Sequence, residues 1–125
     1  MDDTFLPGEK VYRAVYPPEM VSMFWREDGT LSSAAFADPK GLSVDRGNYR
    51  SDNAVIRDMT KRFTGRSISL YVKTCQDTGA IVRYLPSAQN IYHSEIHGSA
   101  EKVLLSKSQR YQLSRKARVV YSERI

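Results

Sequence analysis

The chain has 125 residues, the size of a single folded domain, and its 41% hydrophobic and 26% charged residues fit an ordinary globular core and surface. Its only cysteine, Cys75, excludes an internal disulfide, and no apolar run approaches the ~20 residues needed to cross a bilayer. The net charge is +5, and residues 100–125 supply that whole excess: Lys102, Lys107, Arg110, Arg115, Lys116, Arg118 and Arg124 stand against Glu101 and Glu123.

In chain order, Val11 to Val15 alternates around Arg13 and predicts a first strand, left at Pro17-Pro18, where neither strand nor helix continues. Met20, Met23 and Phe24 predict a short helix within Glu19–Arg26. Pro39-Lys40-Gly41 breaks the chain before a short strand, Leu42-Ser43-Val44. Ser51 or Asp52 caps a helix running to Phe63, with Ile56, Met59 and Phe63 on one face and Gly65 closing it. Ile68, Leu70 and Val72 alternate with Ser69, Tyr71 and Lys73, and a turn at Asp77-Thr78-Gly79 leads back through Ile81–Leu85, so residues 68–85 read as a hairpin. A helix is expected over residues 101–113, with Val103, Leu104 and Tyr111 inward, then a last strand at Val119-Val120-Tyr121. The sum is an α+β fold, one domain over 1–125, built on a mainly antiparallel sheet with two or three helices.

Several polar residues interrupt this apolar text: Arg13, Ser32 and Ser33, Ser43, and His93, Glu95 and His97. Burying such groups without partners costs roughly 1–3 kcal/mol each, so they either satisfy one another or meet a ligand. Arg13 shares a face with Val11 and Val15, and its guanidinium suits a phosphate or carboxylate. The bland alternative is an edge arginine whose stem covers apolar surface. His93, Glu95 and His97 point one way if they lie on a strand, but no fourth ligand stands at a fitting spacing, so no metal and no cofactor is expected. No Gly-x-Ser-x-Gly elbow surrounds Ser32 or Ser33, and the glycines are scattered singly, which excludes a serine-hydrolase elbow and a glycine-rich phosphate loop. Cys75 reads as a small core residue rather than a reactive thiol.

Two functions are consistent with these residues. In the first, the chain is a cytoplasmic binding or accessory module with no membrane role. Its basic C-terminal segment, with Lys107, Arg110, Arg115, Lys116 and Arg118 and interleaved Tyr111 and Tyr121, engages nucleic acid or an acidic protein. In the alternative, Arg13, Ser33, Ser43 and His93 converge on a nucleotide or phosphorylated ligand, and the chain is an enzyme. Arg13 would clamp the anion, the serines would donate hydrogen bonds, and His93 would move a proton.

The order Arg13, Ser32-Ser33-Ala34-Ala35-Phe36, Leu42-Ser43-Val44 and His93-x-x-Ile96-x-Gly98 resembles a loose family of small uncharacterised bacterial proteins, and the resemblance implies no activity. A weaker likeness is to ADP-ribosyltransferase-like and RES-type folds, which also carry an arginine on an early strand and serines on later ones. That likeness implies an NAD-using reaction. Glu95 departs from the acidic residue of those folds, and the chain is short for them.

Overall fold

The computed structural model describes residues 1–122, so Glu123 and Arg124 of the basic segment lie outside the described residues. Six strands, β1 (Lys10–Val15), β2 (Leu42–Arg46), β3 (Arg66–Tyr71), β4 (Ile81–Tyr84), β5 (His93–His97) and β6 (Arg118–Tyr121), form one sheet in the order β4-β5-β2-β1-β3-β6. Every pairing is antiparallel. Three helices, α1 (Asp52–Met59), α2 (Val72–Asp77) and α3 (Lys107–Lys116), complete an α+β domain.

The alternation along the strands divides the apolar residues between the two faces of the sheet. Val11, Val15, Leu42, Val44, Ile68, Leu70 and Ile96 share the larger core with Phe36, Cys75 and Leu113. The opposite face carries a smaller cluster, in which Tyr12 packs with Val55 and Met59 of α1. Ser51 caps α1 by accepting from the Ala54 N–H at 3.2 Å.

At one end of β2 a buried ion pair ties the N-terminal segment to the sheet. Arg46 Nη2 lies 2.8 Å from Glu9 Oε1, with both side chains almost wholly enclosed. Arg46 also donates to the carbonyls of Asp2 and Thr4, and its guanidinium lies 4.2 Å from the Phe5 ring centroid. Removing one partner of such a pair leaves a buried charge unpaired, at about 3–5 kcal/mol.

The structure corrects four local expectations. The helix capped by Ser51 ends at Met59, short of Phe63, and buries Val55 and Met59, while Ile56 is half-buried and Phe63 exposed. Residues 68–85 are not a hairpin, because α2 intervenes and β3 pairs with β1 and β6 while β4 pairs with β5. Within Glu19–Arg26 only a single 3-10 turn forms, over Ser22–Phe24, with Met20 and Met23 exposed. The last helix starts later than expected, and Val103, Leu104 and Tyr111 all face outward. No helix among the described residues is long and apolar enough to cross a membrane.

Candidate functional site

The sheet is not closed evenly. β1 pairs with β3 along its whole length, from Lys10↔Tyr71 to Val15↔Arg66. With β2 it pairs only at Val11↔Arg46 and Tyr12↔Asp45. Beyond that point the two strands part, although Leu42–Asp45 of β2 stays fully paired with β5. Arg13 sits where they separate, and its Nη1 donates across the opening to the Ser43 carbonyl at 2.8 Å. Arg13 Nε is buried and has no hydrogen-bond partner. Burial lowers the Arg13 pKa from its ordinary value, and the charge of Asp38 works against that shift.

A cleft of about 480 Å3 lies over this opening. Tyr12 and Ala14 of β1 form one wall with Met59, Arg62 and Phe63 at the end of α1, and Ser43, Val44 and Asp45 of β2 form the other with His93 of β5. The β4–β5 loop closes one side through Ser87, Gln89 and Asn90. Three of the four residues expected to converge, Arg13, Ser43 and His93, therefore line one cavity. Ser33 does not: it opens a 3-10 turn (Ser33–Phe36) whose Ala35 and Phe36 fill the larger core.

Asp45 forms the floor and is already satisfied. It lies opposite Tyr12 on one side and His93 on the other. Its Oδ2 accepts from Arg62 Nη2 at 2.7 Å and its Oδ1 from Asn90 Nδ2 at 2.9 Å. Arg62 is held a second time by Asp58 at 2.9 Å. A strand, the end of a helix and a loop are thus joined at the base of the cleft. Both oxygens of the one buried carboxylate there are occupied, so its charge is balanced on the spot.

Behind the cleft, His93, Glu95 and His97 lie on one face of β5, as strand alternation requires. Glu95 Oε1 contacts His97 Nε2 at 2.8 Å, and Glu95 Oε2 lies 3.6 Å from His93 Nε2. Gly41 makes room for this carboxylate. Its φ is +111°, and a Cβ there would stand 2.2 Å from Glu95 Oε1. The hydrogen bond of this carboxylate goes to His97, and His93 lies beside it without one. Among the described residues no group of three His, Cys, Asp or Glu side chains is placed to share a metal ion.

Cys75 is fully buried on α2, and burial pushes its thiol up to about 12, so it stays protonated and unreactive at neutral pH. The basic residues expected to meet a polyanion are on α3 and β6. Lys107, Arg115, Lys116 and Arg118 are exposed, whereas Arg110 is drawn in and donates to the Leu105 carbonyl at 2.8 Å.

Tyr12, Asp45, Met59, Arg62, Phe63 and Asn90 were not anticipated as site residues. For Asp45 a signal was present: in Leu42-Ser43-Val44-Asp45 it shares its strand face with Ser43, away from the apolar pair. Arg62 and Asn90 reach the site through tertiary packing, which no local spacing encodes. The molecule is thus an α+β domain with a mixed polar and apolar cleft where its sheet opens. Comparison with protein-family models, with curated proteins and with solved structures gives no match.

Proposed function

We propose that the cleft between β1 and β2 binds a nucleotide through an anionic group held on Arg13. The chain then works as an enzyme of ADP-ribosyltransferase-like kind, with NAD the first ligand to try. The observation that carries this reading is the meeting of Arg13, Ser43 and His93 on one cavity at the point where the sheet opens.

Four physical features support it. The cavity's ~480 Å3 lies within the range of about 300–1,000 Å3 usual for small-ligand sites. Arg13 keeps a buried donor without a partner, a cost that an anionic acceptor relieves. Asp45, the one buried carboxylate in the cavity, is neutralised by Arg62 and so does not repel an anion. Phe63, which is exposed, offers apolar surface for a ring, and Ser43 offers a hydroxyl.

In the reaction proposed, an oxygen nucleophile attacks the ribose carbon that bears nicotinamide. The new C–O bond forms as the C–N bond breaks, nicotinamide leaves with the bonding pair, and His93 accepts the proton of the attacking oxygen. Glu95, whose hydrogen bond goes to His97, lies 3.6 Å from the His93 imidazole and places negative charge near it. Ser33 has no part in this reading.

Calorimetric titration with NAD, paired with an assay for released nicotinamide, tests it. Arg13→Ala is expected to weaken binding roughly ten- to hundredfold, the loss of charge-assisted hydrogen bonds. His93→Ala is expected to bind NAD within a few-fold of the parent chain while losing nicotinamide release. If the parent chain neither binds nor cleaves NAD, or if Arg13→Ala binds as tightly as the parent, the proposal is wrong.

A further inference from the structure

The cleft leaves the basic C-terminal fifth of the described chain unexplained, and its side chains are not scattered at random. With 100° per residue, Gln109, Leu113 and Ser114 of α3 turn inward, and all three are buried. Lys107, Tyr111 and Arg115 follow one another at every fourth position on the opposite side, with Lys116 at the border, and all four are exposed. None of these three cations, nor Arg118, makes a salt bridge among the described residues.

Two shallow grooves meet along this side. One, of about 190 Å3, lies over the β1–β3–β6 end of the sheet between Lys10, Lys116 and Arg118, with Ser69 and Thr74 lining it. The other, of about 380 Å3, runs between α2 and α3 past Tyr111 and Arg115. Thr74 and Lys116 line both, so the grooves form one continuous track. The track shares no residue with the β1–β2 cleft.

Two carboxylates line the track itself, Asp52 in the first groove and Asp77 in the second, and each is held by a partner. Asp52 accepts from Tyr12 and lies 3.3 Å from Lys10, and Asp77 lies 2.9 Å from Lys73. Asp28, which lies on the Arg115 side, accepts from the Thr30 hydroxyl and backbone N–H. What remains free is the set Arg115, Lys116 and Arg118, with the Thr74 hydroxyl among them and two exposed aromatic rings beside them, Tyr71 and Tyr111.

We infer that this track binds the phosphate backbone of a single-stranded nucleic acid. Arg115, Lys116 and Arg118 take phosphates, Thr74 donates to a phosphate oxygen, and Tyr111 offers its ring to a base. A groove that tracks the backbone with cations and stacks bases on aromatic rings is the general means of gripping single strands without reading sequence. The exposed rings favour this partner over an acidic protein, because every nucleotide of a strand brings a base that can stack on Tyr111, whereas an acidic surface calls only for the cations.

The test is fluorescence anisotropy with labelled oligo-dT and oligo-U strands over a salt series, on the full chain. The parent chain is expected to bind with an affinity that falls by about 0.7 logarithmic units per tenfold rise in salt for each phosphate contacted. The double variant Lys116→Ala/Arg118→Ala is expected to flatten that slope by roughly 1.4 units, two phosphates' worth. Tyr111→Ala is expected to lose on the order of tenfold in affinity at unchanged slope. All three side chains are exposed, so the variants keep the fold, which circular dichroism checks. Unchanged oligonucleotide binding in the double variant overturns the assignment. So does competition by polyglutamate as effective, charge for charge, as an unlabelled strand, together with a silent Tyr111→Ala; that result assigns the track to an acidic protein. Displacement of the strand by inorganic phosphate at equal phosphate concentration overturns it in favour of a free anion.

Discussion

Tyr12 and Arg13 are neighbours on β1 with opposite fates, and the contrast shows how one strand serves both stability and the site. Arg13 enters the opening between strands. Tyr12 turns under α1, where its hydroxyl donates to Asp52 Oδ1 at 2.5 Å across 40 positions of sequence. That bond, with Lys10 adding its charge, lowers the Asp52 pKa from the ordinary value against the effect of burial. The Tyr12 pKa is raised, first by burial and then by Asp52. A depressed carboxylate contributes stability above its unfolded pKa, about 3.9, which is lost as pH falls through the folded value. A raised phenol contributes in full below about 10 and loses that contribution as pH climbs toward the folded value. Tyr12→Phe is therefore expected to cost about 1 kcal/mol near neutral pH, a modest figure because Asp52 is partly solvated. The deficit should shrink in acid, once Asp52 is protonated. Urea unfolding of both chains across the pH range checks this, and a deficit that does not vary with pH would refute the linkage.

At the scale of elements, legibility followed how local the signal was. β1, β2, α1 and β6 were readable because alternation, a capping serine and flanking Pro or Gly mark them within a few residues. The stretch read as the second half of a hairpin strand became α2 because Val72 and Cys75 both reach the core at helical spacing. Lys73 and Asp77 pair along the same turn, while the β-branched Val72 and Thr74 gave the segment a strand-like look. For α3 the signal was present but displaced: Ser106 and Gln109 form a capping box that fixes the start later than the apolar pattern of Val103 and Leu104 implied. The entry to β2 yields a further prediction. Gly41 combines a left-handed φ with direct contact to the Glu95 carboxylate, so Gly41→Ala meets both backbone strain and a clash. It is expected to cost about 1–3 kcal/mol of stability and to push Glu95 away from His93. Chemical denaturation reads the first effect and the imidazole NMR shifts of His93 the second. A variant as stable as the parent, with unmoved imidazole shifts, would remove Gly41 from the account of the site.

At the scale of the whole molecule, the strand order β4-β5-β2-β1-β3-β6 puts the first two strands side by side at the centre and lets them part. Nothing within either strand announces that parting. It arises from which strands pair, and those partners lie some 30 or more positions apart in the chain. The sequence did disclose that Arg13, Ser43 and His93 were out of place in apolar text, and these are the residues that meet at the opening. Ser33 broke a similar pattern for another reason, as the first residue of a core-facing turn. The two faces of function proposed, a nucleotide cleft at the split and a strand-binding track beside α3, rest on separate residues and fail separately. Amide chemical-shift mapping of the 15N-labelled chain during titration with NAD decides whether the cleft is the binding site. Saturable shifts are expected at residues 12–14, 43–45, 59–63 and 87–93, with α3 unmoved. A spectrum that does not change, or shifts confined to α3 and β6, would contradict that assignment.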